Sequence, residues 1–516
     1  MSLLSVYASP LDVRRAAHLL RRATFGASPE RIREFVGLTA EAAAQRLLAN
    51  TAAPPPPLDP TTRQTFVNLP FSNAEQGRWQ NYVKGWWVAR MQQAESAAIE
   101  KMTAFWQNHF VVSFAVVNDA RYVYRYLALL RQHALGNFRT LLIEVTKDPA
   151  MLRYLNGNSN TAGRVNENYA RELQELFSIG RGNYTEADVR AAARVLTGWR
   201  DLYYRNEQRA DIAVEFRPAR HDTTNKTFSA SYQNTVIRGR TGPNAGNEEL
   251  ADLIDMILRQ PEAARFICRK LYRWLVNHDI TPAVETDFIE PLAQVFRQSG
   301  YEIRPVLAAL FASTHFYSES VRGAVIKSPF DLTLGTLQYF NVSMPDMAQQ
   351  PAAFYEYTDN LRRRNREQQQ DVLDQPTVFG YPAYYETDYY KVWINATTLS
   401  MRGYFSDTLV NGTFRAGGRP ITFDSVETVK RLPDPSDAVK LVDDICATLM
   451  AVDLTRQQKN FLIDQVLIPG LPRYEWTYEW QGHVSDPNNA AKRMSLKMKL
   501  DNLFRFLFRM AEYQMC

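Results

Sequence analysis

The sequence predicts an all-α fold, a large multi-helix assembly with one small β-hairpin near residues 212–240. Three observations carry this. Apolar residues recur three and four apart along most of the chain, the spacing of a buried helical face. Helix-start and helix-stop chemistry brackets those stretches repeatedly. The chain has 516 residues of which 45% are hydrophobic, enough for substantial cores without covalent staples, and its three cysteines (Cys268, Cys446, Cys516) are too few and too scattered for a disulfide framework or a CxxC-type zinc cluster.

Taken in order, residues 11–22 and 29–49 read as amphipathic helices, the second opened by Ser28 as N-cap and Pro29 in the first turn. The Pro tract TAAPPPPLDP at 51–60 imposes an extended linker, because proline fixes its backbone and lacks an amide donor. Long helices rich in Trp, Tyr and Met come next, among them 78–109 and 119–132. In 184–199, Thr185 and Asp188 form a capping box, and Gly198 ends the segment. The runs AVEFRPARHD and KTFSASYQNTVIRG alternate in the manner of a hairpin. Further helices are expected at 247–259, 262–276, 284–298, 303–312 and 328–340. A polar helix, LRRRNREQQQDVL, then runs into the Tyr-rich stretch QPTVFGYPAYYETDYYKVW, and helices at 436–451, 455–467 and 488–513 close the chain. The corresponding division is an N-terminal helical segment (1–50), a Pro-rich linker (51–75), a helical core domain carrying the polar motifs (76–345) and a C-terminal helical region with the Tyr-rich loop (346–516).

Several function classes are excluded or disfavoured. A net charge of +5 drawn from 60 basic and 55 acidic residues is a mild, dispersed surplus that does not imply nucleic acid. No apolar run reaches the length of a membrane span, and the N-terminus MSLLSVYASPLDVRR lacks a signal-peptide core, so a cytoplasmic location is the default expectation. HExxH, P-loop, GxGxxG and GxSxG motifs are missing, which argues against zinc-helix proteases, nucleotide hydrolases, dehydrogenases and serine hydrolases.

Three stretches carry candidate chemistry. In NENYARELQELFSIG (166–180), Asn168, Glu172 and Glu175 share a narrow helical stripe beside the apolar arc of Tyr169, Leu173, Leu176 and Phe177. Glu172 and Glu175, one turn apart, repel unless something positive lies between them: either a metal or ligand, or arginines in a half-buried ion-pair network, which the abundance of basic residues favours. Glu167 and Arg171 form an i,i+4 pair beside them. In KMTAFWQNHF (101–110), His109 shares a face with Met102, Phe105 and Trp106 and so points inward, as a hydrogen-bonded core residue or as a ligand. In FRPARHDTTNKTF (216–228), His221, Asp222 and Lys226 suit acid–base or metal work, while an Asx-type turn at Asp222 is the plainer alternative.

Together these stretches resemble one family, the bacterial proteins grouped as "domain of unknown function 1800". The resemblance runs from HLLRRATFGAS (18–28) through FWQNHF (105–110) and the long block MLRYLNGNSNTAGRVNENYARELQELFSIGRGNYTEADVRAAARVLTGW (151–199) to FRPARHDTTNKTF, KSPF (327–330) and QPTVFGYP (375–382). It implies a predominantly helical protein, often exported to the periplasm or beyond, and encoded beside alkaline-phosphatase- or sulfatase-like proteins. It places Asn166, Glu167, Asn168, Arg171, Glu172, Glu175, Asp188, Gly198, Trp199, His109, His221 and Asp222 in family motifs. The chain departs from the pattern at Phe177, where many members have histidine, at Thr224 and Ser229 in place of glycines, and at Tyr381 in place of tryptophan.

Two functional expectations result. In the first, His109, Glu172, Glu175 and His221 converge to bind a divalent metal (Zn, Mn or Fe) that activates water for hydrolysis. His221, Asp222 and Glu172 then act catalytically, with Asn168, Arg171 and Lys226 orienting the set. In the second, the polar network is structural and the protein is a non-catalytic subunit, whose aromatic segment 379–393 docks an identical copy or a sulfatase/phosphatase-like partner.

Overall fold

The computed structural model describes residues 2–93, 98–384 and 391–516. Helices dominate it, as expected, and the strands among the described residues form three separate two-stranded antiparallel sheets. One hydrophobic cluster runs from Leu11 to Tyr513 and holds most of the buried apolar side chains. No helix among the described residues is long and apolar enough to cross a membrane.

Local chemistry accounts for most element boundaries. Asp12 caps Val13–Ala23, Ser28 caps Pro29–Arg33 and Thr39 caps Ala40–Leu47, each by accepting a backbone N–H with its side chain. The predicted single helix over 29–49 is therefore two: the first ends at Arg33, turns run on to Gly37 at φ +83°, and Thr39 caps the second. The expected 78–109 helix is Gln76–Gln92 and Ala98–His109, on either side of residues 94–97, which lie outside the described set. The capping box is present, with Thr185 and Asp188 bonding reciprocally at the start of Glu186–Val195. The polar helix begins earlier than its polar sequence, at Pro351, and stops at Glu367, beyond which Gln369 and Leu373 take positive φ.

The expected small hairpin near 212–240 is present in its second half, and the first strand of that range pairs outside it. Ala213–Phe216 pairs backward with Trp199–Leu202, and Lys226–Thr227 pairs with Val236–Ile237; a third pair joins Phe414–Ala416 to Arg419–Ile421. Alternation marks strands but cannot tell which neighbour a strand will choose. The Pro tract is extended and closely attached: Trp86 Nε1 donates to the Pro55 carbonyl (2.8 Å) and the Tyr355 hydroxyl to that of Leu58 (2.7 Å).

Two packings shape the neighbourhood of His109 and Glu175. The segment carrying QPTVFGYP docks on the end of Ala98–His109, where the Tyr381 amide donates to Asn108 Oδ1 (2.8 Å). Gly380 (φ +85°) lies so close to the Asn108 carbonyl that any Cβ would collide with it. At Gly180 (φ +76°) a Cβ would press on the Phe266 ring at 3.0 Å, so glycine lets Pro261–Leu275 approach the loop after Asn168–Glu175.

Candidate functional site

The polar stripe of Asn168–Glu175 divides into structural and open groups. Asn168 serves the backbone: its side-chain amide donates to the Leu155 carbonyl (3.2 Å), and its main-chain N–H donates to Asn166 Oδ1 (3.0 Å). Arg171 grips Glu186 through two bonds of 2.6 and 2.7 Å, while the expected partner Glu167 stands at 3.6 Å. Bidentate geometry outcompetes an i,i+4 contact. Glu175 is held by Arg181 and by the Tyr184 hydroxyl (2.6 Å), and these donors overcome the effect of burial to keep its carboxyl below the usual range. Glu172 is half-buried, and its carboxyl has no hydrogen-bond or ion-pair partner among the described residues. Burial, with Glu175 adding repulsion, pushes its carboxyl up to about 7.

His109 is buried, as its helical face predicts, and packs among Phe105, Trp106, Phe110 and Phe177. Its Nε2 lies 3.1 Å from the Phe177 carbonyl, which can only accept, so Nε2 carries the proton and Nδ1 is a bare acceptor without a partner among the described residues. Burial, assisted by the charge of Lys270, holds the imidazole well below its ordinary value and therefore neutral. Phe177 fills the place where the resemblance expects histidine, directly against His109.

His221 and Asp222 belong to another centre. The His221 Nδ1 meets the Thr197 carbonyl (3.0 Å) and hydroxyl (3.1 Å), and its Nε2 faces Glu249 at 3.1 Å. Glu249 also binds Lys226 (2.5 Å) and the Arg240 amide (2.6 Å), with both members of the Lys226–Glu249 pair fully buried. Burial would raise Asp222, but Arg194 (2.7 Å) and Thr224 hold it below the carboxylate range, and the Thr224 amide completes an Asx-type turn. Ser229, another substituted glycine position, donates both its amide and its hydroxyl to Asp188 at 2.7 Å. The four expected metal ligands, His109, Glu172, Glu175 and His221, are thus not brought to one point, and no three His, Cys, Asp or Glu groups among the described residues are arranged to hold a metal ion. Their separation results from the pairing of 213–216 with 199–202, which carries the His221 loop onto Thr197.

The structure does bring together His109 and Glu175, with a set of residues that sequence reasoning missed. They line a cleft of about 360 Å³ with Leu176, Gly180, Arg181, Phe266, Arg269, Lys270, Arg273, Val378 and Phe379. Phe266, Arg269, Lys270 and Arg273 recur at helical spacing along Pro261–Leu275, a cationic stripe beside its apolar face; that spacing was the available signal. Arg181 is matched by Glu175, and Arg269 by Glu262 and Glu285. Lys270 differs: it lies over the Phe266 ring at 4.9 Å and has no carboxylate within 4.0 Å among the described residues. Burial, then the neighbouring charge of Arg273, pushes its amine down to about 7.

A larger groove of about 580 Å³ between Tyr124, Arg125, Trp199 and Asn247 has its charged groups already satisfied: Glu144 pairs with Lys147, Arg125 donates to the Ile212 carbonyl, and Asp148 caps the helix beginning at Pro149. In the Tyr-rich segment, Tyr381 and Trp393 are buried and Tyr384 packs on Trp274 at 4.0 Å, so these three rings face inward, while Phe379 is exposed. Residues 385–390 of that segment lie outside the described set.

Fold and cleft define a helical protein with an open, cation-lined pocket of mixed polar and aromatic character. The chain belongs to the family described as "Protein of unknown function (DUF1800)", whose model matches residues 18–515. No curated protein and no solved structure matches it.

Proposed function

We propose that this protein binds a small organic anion with an apolar body in the cleft between Asn168–Glu175 and Pro261–Leu275. The observation that carries this reading is Lys270, a half-buried cation without a carboxylate partner among the described residues, set in a cleft walled by Phe266, Leu176 and Val378. A desolvated charge is costly until it is paired, so an incoming carboxylate recovers what burial of the ammonium loses. The apolar walls supply a hydrophobic contribution of about 25 cal/mol per Å² of ligand surface covered. A few polar groups in a mainly apolar concavity are the ordinary composition of a small-molecule site.

Calorimetric titration with 3-phenylpropionate and its neutral counterpart 3-phenylpropanol tests the reading. The acid binds more tightly than the alcohol, and Lys270→Met weakens the acid about tenfold, equivalent to about 1.4 kcal/mol, while leaving the alcohol unchanged. Equal affinity for acid and alcohol, or an unchanged acid affinity in the variant, contradicts it.

A further inference from the structure

Among the described residues, two lysines have amines pushed down to about 7, and their surroundings separate them. Lys327 is enclosed, 5% exposed, with its ammonium 3.7 Å from the centre of the Tyr513 ring. Lys270 opens on the cleft, midway along a helical face that also presents Phe266, Arg269 and Arg273. A lysine becomes a nucleophile when it lies in a partly apolar pocket beside another cation and lacks a carboxylate that would hold its proton. Lys270 meets each condition: Phe266 under the amine, Arg273 beside it, and no ion pair among the described residues.

We propose that Lys270 forms a reversible imine with the keto group of a 2-oxo acid bound in this cleft. The proposal rests on the anion-binding reading above and names its ligand class. In a 2-oxo acid the keto carbon is bonded directly to the carboxylate carbon, so a carboxylate drawn into this cation-lined cleft brings the keto carbon to the Lys270 amine. The unprotonated Nζ adds to that carbon: a C–N bond forms, and the π pair of the carbonyl moves to oxygen. The oxygen takes a proton as the nitrogen loses one, giving a carbinolamine. The C–O bond then breaks, the hydroxyl leaving as water on taking a second proton while the nitrogen lone pair forms the C=N bond. Overall, lysine ammonium and ketone give a protonated imine and water, with no change of oxidation state; water entering through the open cleft reverses the step.

The test treats the full chain with phenylpyruvate and then sodium cyanoborohydride, reading intact mass and the modified peptide. The expected result is one saturable adduct on Lys270, formed at least about tenfold faster than on any other lysine and blocked by 3-phenylpropionate. Lys270→Arg removes the fast adduct and leaves only the slow labelling of the other lysines. Binding of 3-phenylpropionate without an adduct, or label on Lys327 or spread evenly over many lysines, overturns the imine while leaving the anion site standing. Failure of both acids to bind overturns both.

Discussion

Glu172 and Glu175 are one turn apart on the same helix, yet only Glu175 has donors, and that difference sets their charge. Glu172, raised to about 7 from an ordinary 4.5, is neutral in the folded state over a pH range where the unfolded chain ionises it. Its contribution to stability is therefore fully present below about pH 4.5 and is lost as pH rises through about 7. Glu172→Gln removes this dependence. Discounted for partial exposure, the variant is about 1–2 kcal/mol more stable than the parent at pH 8 and equal to it at pH 4, as measured by urea midpoints; coincident pH profiles contradict the assignment. At this scale the sequence was partly legible. The inward direction of His109 and the narrow Asn168–Glu172–Glu175 stripe come from helical periodicity alone. The partners do not, because Arg171 takes Glu186 and Glu175 takes Arg181 and Tyr184 from beyond the helix, where a bidentate or hydroxyl contact offers more than the nearest i,i+4 charge.

The same limit appears for whole elements. Caps and capping boxes announce themselves in sequence, and Ser28 and Thr185 act where the sequence places them, whereas the Thr39 cap, inside the expected 29–49 helix, is one that sequence reasoning missed. Strand pairing is a choice among partners, and the 213–216 strand pairs with 199–202 instead of with the 226–237 segment. This displaced the His221–Asp222 loop from His109 and turned an expected ligand set into a buried His221–Glu249–Lys226 network. The docking of QPTVFGYP on QNHF shows two motifs that explain one another. Gly380 is required by its positive φ and by the Asn108 carbonyl, and this contact seats Val378 and Phe379 as a wall of the cleft. Gly380→Ala is expected to cost about 2–4 kcal/mol in urea unfolding, from left-handed strain plus backbone collision, and to weaken binding of 3-phenylpropionate. A stability change within about 0.5 kcal/mol would show that the segment docks by other contacts.

Across the whole molecule, the cleft is assembled from segments near residues 109, 175–181, 266–273 and 378–379, which only the tertiary fold brings together. The family motifs cover most of these segments, but they name His109 and Glu175 without naming Lys270, whose stripe is plain helical spacing in a helix that otherwise reads as core. An uncompensated cation in a cleft is a property of three-dimensional pairing: it is known only once the carboxylates claimed by the other cations are known. The central claim is that this cleft is where the protein meets its ligand, and a crystal structure of the wild-type chain with 3-phenylpropionate tests it most directly. The carboxylate is expected within hydrogen-bonding distance of the Lys270 ammonium, at about 2.7–3.2 Å, with the phenyl ring against Phe266 and Leu176. Ligand bound elsewhere, with the Lys270 ammonium paired to a protein carboxylate and the cleft closed to the acid, would contradict it.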